Sequence, residues 1–474
     1  MNFNSISFLI FILIFSSIYI YLKGKSRLYF ILISSYFFYG WWDYRYLSLI
    51  VLSTSIDYFA GLQICKEKIE SRRKVFLCIS IGANLLILFI FKYYNFFAFG
   101  FTKVLNALGF HANHSTLDVL LPIGISFYTF QSMSYTIDVY RKKISCEKDY
   151  VVFATYVAFF PQLVAGPIER ASSLLPQFRP LKNPSRIQVR EGCSLIIWGY
   201  FLKVFIADNL SRIADHYFFG VDLKLSSFEV LVGVLAFTVQ IYGDFAGYSK
   251  IARGISKLMG IELMQNFNHP YFARNPPDFW RRWHISLSTW LRDYLYISLG
   301  GNRKGLILTI RNLMITMLLG GLWHGASWVF VIWGFYHGML LIGHRLLSKT
   351  FARLIKPNIF TKRCSQLVMF ALTVYSWLIF RSTNLEHFFY LQKCLFSPVF
   401  FPSEKNEFGR LLIYAFWTIV FGFVIFLADS RQEKNNSEDM FLFYKCEDYV
   451  LTAIIILLLI MFGGRSNAFI YFQF

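Results

Sequence analysis

Cysteine is sparse and unpaired in this sequence. The seven residues (Cys65, Cys78, Cys146, Cys193, Cys364, Cys394 and Cys446) are scattered without a Cys-x-x-Cys pair, which argues against a zinc site and a disulfide framework. There is no Gly-x-x-x-x-Gly-Lys phosphate loop, no Gly-x-Ser-x-Gly elbow and no dinucleotide fingerprint, so ATP-driven pumping and a lipase-type serine mechanism both lose ground. No repeat, low-complexity linker or detachable soluble domain is visible. Acidic residues are also few, 27 Asp and Glu against 47 Lys and Arg, for a net charge of +20. In a soluble protein such a balance would raise nucleic acid as a partner. Here the basic residues collect beside apolar runs, as they do in cytoplasmic loops facing anionic headgroups, and no nucleic acid is expected.

What is abundant is apolar. Hydrophobic residues make up 56% of the 474 positions, aromatics 20%, and the mean hydropathy is +0.48. The apolar residues fall into runs of roughly 17 to 25, the length a helix needs to cross the hydrocarbon core. The candidate spans are 6–22, 28–42, 47–64, 75–100, 117–140, 191–210, 226–250, 311–330, 328–346, 366–382, 410–428 and 449–464. The two between 311 and 346 read as one broken helix or two. The fold class is therefore all-α and polytopic, with about ten to twelve transmembrane helices in a single domain over 1–474. The run 6–22 has no basic residue before it and Lys23, Lys25 and Arg27 after it, so it reads as a retained first helix. By the positive-inside rule the basic loops 23–27, 66–74 and 141–143 lie in the cytoplasm and the amino terminus outside. Segments 168–190 and 272–311 are expected on the cytoplasmic side.

Two stretches do not fit a simple span. Segment 159–167 is apolar but broken by Pro161, Gly166 and Pro167, and reads either as a re-entrant loop lining a cavity or as a surface loop. Segment 279–296 reads as one amphipathic helix at the interface, with Trp280, Trp283, Leu287, Trp290, Leu291 and Tyr294 on one stripe and Arg281, Ser288 and Arg292 on another.

Few residues in this apolar setting can carry chemistry. His324 lies in Gly320-Gly321-Leu322-Trp323-His324-Gly325-Ala326-Ser327-Trp328, inside an apolar run. An ionisable group at membrane depth is costly and usually faces a cavity or a partner. The flanking glycines would let a substrate approach the imidazole, or else serve tight helix packing. His284 sits among Arg281, Arg282 and Trp283, where neighbouring cations disfavour its protonated form. Asp244, flanked by Gly243 and Gly247, reads as an ion-pair partner or as a residue orienting a histidine. Asp57 and Asp138 are further intramembrane acids. His337 and His344 could share a helix face but lack a completing ligand, so no metal site is expected. His111, His114, His216, His269 and His387 read as ordinary polar residues.

Four segments carry a resemblance: PIGISFYTFQ at 122–131, FPQLVAGPI at 160–168, DFWRRWHISLSTWLRDY at 278–294 and GLWHGASW at 321–328. They resemble the membrane-bound O-acyltransferase family, and most of all its bacterial branch of alginate and peptidoglycan O-acetylation. The closing FIYFQF at 469–474 is similar to that branch's usual carboxyl end, whereas Ser298 stands where relatives often carry proline. The resemblance implies a helical ring around a thin funnel, His324 as the catalytic histidine and His284 as the second functional one. Arg281, Arg282, Trp283, Trp323 and Asp244 are the candidate donor-binding or positioning residues. It further implies an acyl thioester donor, acetyl-CoA in the leading reading, with no bound cofactor. Lipids and a periplasmic or extracellular acyltransferase of the SGNH type are the implied partners, and the inner membrane the implied location. D-alanyl transfer toward teichoic acid is the alternative within the family; a transporter or a scaffold is the alternative outside it.

Overall fold

A computed structural model describes every residue except 114–115, 118–119, 165, 221–223, 355–357, 436–445, 463–468 and 471–474. His114 and the last four residues of the carboxyl motif therefore lie outside the described residues. The described residues form α-helices with short 3-10 and π turns, and no strand occurs among them. Contacts divide the chain into two units, residues 1–188 with 255–264, and residues 189–254 with 265–474.

The first unit holds α1 Ile6–Tyr19, α2 Gly24–Gly40, α3 Leu47–Lys66, α4 Glu70–Leu88, α5 Tyr94–Ala107, α6 Ile125–Tyr140, α7 Tyr150–Ala158, α8 Phe160–Leu163 and α9 Ala171–Leu174. Helix α1 shows how the chain meets its solvent. Ser5 caps it by accepting from the Phe8 N–H at 3.2 Å. Phe8, Phe11, Phe15 and Tyr19, at three- and four-residue steps, are buried, while Ile6, Leu9, Ile10, Leu13 and Ile14 face outward. A helix apolar on both faces but buried on one is solvated by lipid on the other. Between α3, α4 and α6 the carboxylate of Asp57 is fully buried; it accepts from Ser80 at 2.5 Å, Asn84 at 2.9 and 3.1 Å and Thr136 at 3.3 Å. Three neutral side chains thus satisfy a group that would be costly alone in hydrocarbon. Segment 159–164 is buried rather than a surface loop, and Gln162 donates to Gln131 at 3.1 Å and to the Tyr156 carbonyl at 2.8 Å.

The second unit holds α10 Arg186–Tyr200, α11 Asp208–Phe219, most of α12 Ser227–Leu258, α13 Pro276–Arg282, α14 Ile285–Trp290, α15 Leu306–His324, α16 Trp328–Leu354, α17 Ile359–Arg381, α18 Leu385–Leu395, α19 Lys405–Asn435 and α20 Cys446–Phe462. Helices α10 and α12 approach closely enough that a Cβ on Gly199 would stand 2.7 Å from the Gly247 carbonyl oxygen. Small residues at such contacts let backbones meet where lipid supplies no hydrophobic drive.

Eight helical segments among the described residues are long and apolar enough to cross a membrane, and two shorter apolar helices cover 6–19 and 448–462. Of the spans expected from sequence, 28–42 falls on a helix of 17 residues, at the short limit of a span, and 117–140 on one of 16, Ile125–Tyr140, just below it. The stretch 311–346 resolves as two helices, α15 and α16, parted at Gly325.

Candidate active site

The site begins with the α15–α16 hairpin. Helix α15 ends at His324 because Gly325 turns to an extended conformation, φ −166° and ψ 153°. A Cβ on Gly321 would lie 2.2 Å from the Phe330 carbonyl oxygen, and one on Gly334 2.3 Å from that of Met317. A Cβ on Gly325 would likewise lie 2.2 Å from the Phe330 ring. Gly321 and Gly325 therefore clear space for packing of α16 on α15, not for a substrate. A Cβ on Gly320 would meet only a side-chain atom, Leu291 Cδ1 at 3.0 Å.

This packing holds His324 in an aromatic frame. Trp323, Trp333 and Phe380 stand edge-on around its ring, with centroids 5.1, 5.0 and 5.3 Å away. His324 is buried yet lines a cavity of about 200 Å³. The rest of the wall comes from Trp280, Leu287, Ser288, Leu291, Arg292 and Tyr296 on one side, and Leu313, Thr316, Met317, Gly320, Trp333 and Leu341 on the other. The motif around 280–296 and the motif around 320–328 thus meet at one space.

Segment 279–296 is not one helix. Helix α13 stops at Arg282, His284 takes the left-handed conformation at φ 42°, and α14 restarts at Ile285 before a π turn over Leu291–Tyr296. A left-handed non-glycine residue carries roughly 1–2 kcal/mol of strain, which the surroundings must hold in place. They do so by burial. His284 has no exposed surface, its Nδ1 lies 3.5 Å from Ser286 Oγ, and Ser286 donates to Asn266 at 2.6 Å. Phe245 stands edge-on to the imidazole at 4.7 Å and Trp323 at 5.9 Å. His284 is therefore a core residue, not an interfacial one. Burial pushes its pKa down to about 3, so the ring is neutral near pH 7. The cause is desolvation rather than the neighbouring arginines.

Those arginines point elsewhere. Arg281 is exposed, and Arg282 pairs with Asp278 at 3.0 Å and Glu433 at 3.5 Å. Neither lines the cavity; Arg292 does, alongside its ion pair with Asp293 at 2.7 Å. Trp283 is buried between Trp377 and Phe267, at 4.8 and 5.0 Å, while Trp323 touches both histidines. Asp244 pairs with Lys203 at 2.7 Å and accepts from the Ile470 N–H at 2.7 Å. Lys203 also binds Asp208 at 2.8 Å. Asp244 thus orients no histidine; the adjacent Phe245 supplies that contact. Among the other histidines, His269 is buried 3.2 Å from Asp429, and His337 is buried within rings of Phe279, Trp280, Trp333 and Tyr336. No group of three His, Cys, Asp or Glu suited to a metal occurs among the described residues.

Sequence reasoning missed Arg292, Trp333 and Lys203. Arg292 had a signal, since it shares a stripe with Ser288 at a four-residue step. Lys203 had one too, as a cation within an apolar run.

The apolar helices describe a polytopic membrane protein, with a cavity in its second unit that His324 lines. Residues 147–392 match the sequence model of MBOAT, the membrane-bound O-acyltransferase family. Over 414 residues, 86% of this chain and 77% of the relative, it is 42% identical to a Pseudomonas aeruginosa protein named "Probable alginate O-acetylase AlgI". It is 37% identical to the peptidoglycan O-acetyltransferase of Helicobacter pylori over 387 residues, 75% of this chain and 71% of that one. The teichoic acid D-alanyltransferase of Bacillus subtilis is 26% identical over 326 residues, 65% of this chain and 78% of that one. The chain belongs to the membrane-bound O-acyltransferase family, and it is an O-acyltransferase.

Proposed function

We propose that this enzyme moves an acetyl group from a cytoplasmic thioester, acetyl-CoA, toward a hydroxyl of a cell-surface polysaccharide such as alginate, working in the inner membrane with an outer acyltransferase of the SGNH type. The observation that carries the reading is the placement of buried His324 on the wall of a mostly apolar cavity. Acyl transfer from a thioester to a hydroxyl requires a base at the attacking oxygen. A neutral imidazole is matched to that task near pH 7. In the proposed step the hydroxyl oxygen attacks the thioester carbonyl while its proton passes to a ring nitrogen of His324. The tetrahedral intermediate then expels the thiolate, the C–S bond breaks, and the imidazolium returns the proton to sulfur.

His284 serves as a neutral positioning group that sets the Trp323 wall, since a ring held at a pKa near 3 carries no charge for the oxyanion. Arg292 is better placed than Arg281 or Arg282 to face donor or intermediate. Acetyl is preferred over D-alanyl because the O-acetylating relatives are the more similar. The test uses membranes holding this protein, labelled acetyl-CoA and the outer partner. Acetyl transfer lost in His324→Ala supports the reading, and transfer that requires a small acyl carrier protein moves the assignment to D-alanylation.

A further inference from the structure

We infer that the groove between α16 and α17 is a binding site for one anionic phospholipid. The groove has a volume of about 740 Å³ and is walled by α16, α17 and the segment 274–276. Beside it, Gln366 of α17 donates to the Phe272 carbonyl at 3.1 Å. Its sides are apolar: Met339, Leu340, Leu347, Val368, Met369 and Leu372. Several of these face outward, Val368 with 60% and Leu347 with 51% of its surface exposed.

The charged residues of the groove are of one sign. Arg274 and Lys362 line it, with the His344 ring beside them, and no acidic side chain does among the described residues. Asp278, the carboxylate bonded to the Arg274 backbone N–H at 3.0 Å, is committed to Arg282. The chain from 344 to 363 carries Arg345, Lys349, Arg353, Lys356, Lys362 and Arg363 without a single acid. By the positive-inside rule this end of the hairpin faces the cytoplasmic leaflet, where anionic lipids concentrate.

An occupant complementary to this surface is anionic at one end and apolar along its length. A phospholipid supplies both, with its phosphate on Arg274 and Lys362 within reach of a hydrogen bond from the His344 ring, and an acyl chain along Leu340 and Val368. The site also abuts the reaction centre. Asn275, on the groove wall, caps α13 by accepting from the Asp278 N–H at 2.9 Å, and α13 carries Trp280 to the His324 cavity.

The test is native mass spectrometry of the full-length protein with phosphatidylglycerol and phosphatidylcholine of identical chains. Each basic contact is worth about fivefold in affinity, so the wild type should retain phosphatidylglycerol at least about tenfold better. The R274Q/H344Q/K362Q variant should lose that preference, and the milder H344Q/K362Q variant should lose part of it if the triple variant fails to fold. Val368→Trp, which fills the groove, should remove the tightly held lipid. Equal retention of both lipids by the wild type would overturn the proposal, as would an unchanged preference in the folded variants. A polypeptide released by Val368→Trp would put a protein in the groove and overturn it as well.

Discussion

His324 and His284 are both buried histidines, yet they sit in different settings. His324 ends a helix, where the carbonyl dipoles favour a developing imidazolium, and it borders the cavity. His284 is enclosed by Phe245, Trp323 and Ser286. If His324 is the base, His324→Ala should lower acetyl transfer at least about 100-fold at normal protein level, the range general-base catalysis contributes; membrane-level transfer assays check this. For His284 the prediction concerns stability. Its folded pKa near 3 lies below the ordinary 6.5, so between these values the unfolded chain binds more protons than the folded one. Stability from this residue is complete above pH 6.5 and is lost as pH falls toward 3. Thermal unfolding in detergent should show the melting temperature of the wild type dropping below pH 6.5, with a shallower drop in His284→Gln.

At the scale of elements, the α15–α16 hairpin holds His324 in place through backbone contact. Gly334→Ala places a methyl 2.3 Å from the Met317 carbonyl oxygen. It should destabilise the protein by about 1–3 kcal/mol, as overpacking does, and lower activity by shifting His324; melting temperature and transfer rate should fall together. The buried trio of Lys203, Asp208 and Asp244 makes a separate prediction. Lys203→Met leaves two carboxylates uncompensated and should cost about 3–5 kcal/mol, whereas Lys203→Met with Asp208→Asn and Asp244→Asn should recover much of the yield in membranes.

The sequence announces these elements unevenly. The long spans are legible because lipid demands apolar runs of fixed length, and α15 and α16 are legible because Gly325 interrupts one. The break at His284 is not, because the Trp280–Trp283–Leu287–Trp290 stripe keeps helical period straight through it and no glycine marks the left-handed residue. The candidate histidines could be picked out as costly groups in apolar surroundings, but the partner of Asp244 could not, since Lys203 meets it only through tertiary packing of α12. The cavity role of Arg292 could not be separated from that of Arg281 by periodicity alone; the break at His284 sends them to different surroundings.

At the scale of the whole molecule, helices with outward apolar faces enclose polar clusters that are individually satisfied: Asp57 by neutral donors, Asp244 by Lys203, Asp429 by His269 and Tyr242. The most direct test is the surface O-acetyl content of cells carrying wild type, His324→Ala or His284→Ala, with membrane levels checked by blot. The account predicts loss of ester in His324→Ala at normal protein level and a partial loss in His284→Ala. Ester retained at wild-type level in both would contradict it, and would leave the two motifs as packing elements of the fold.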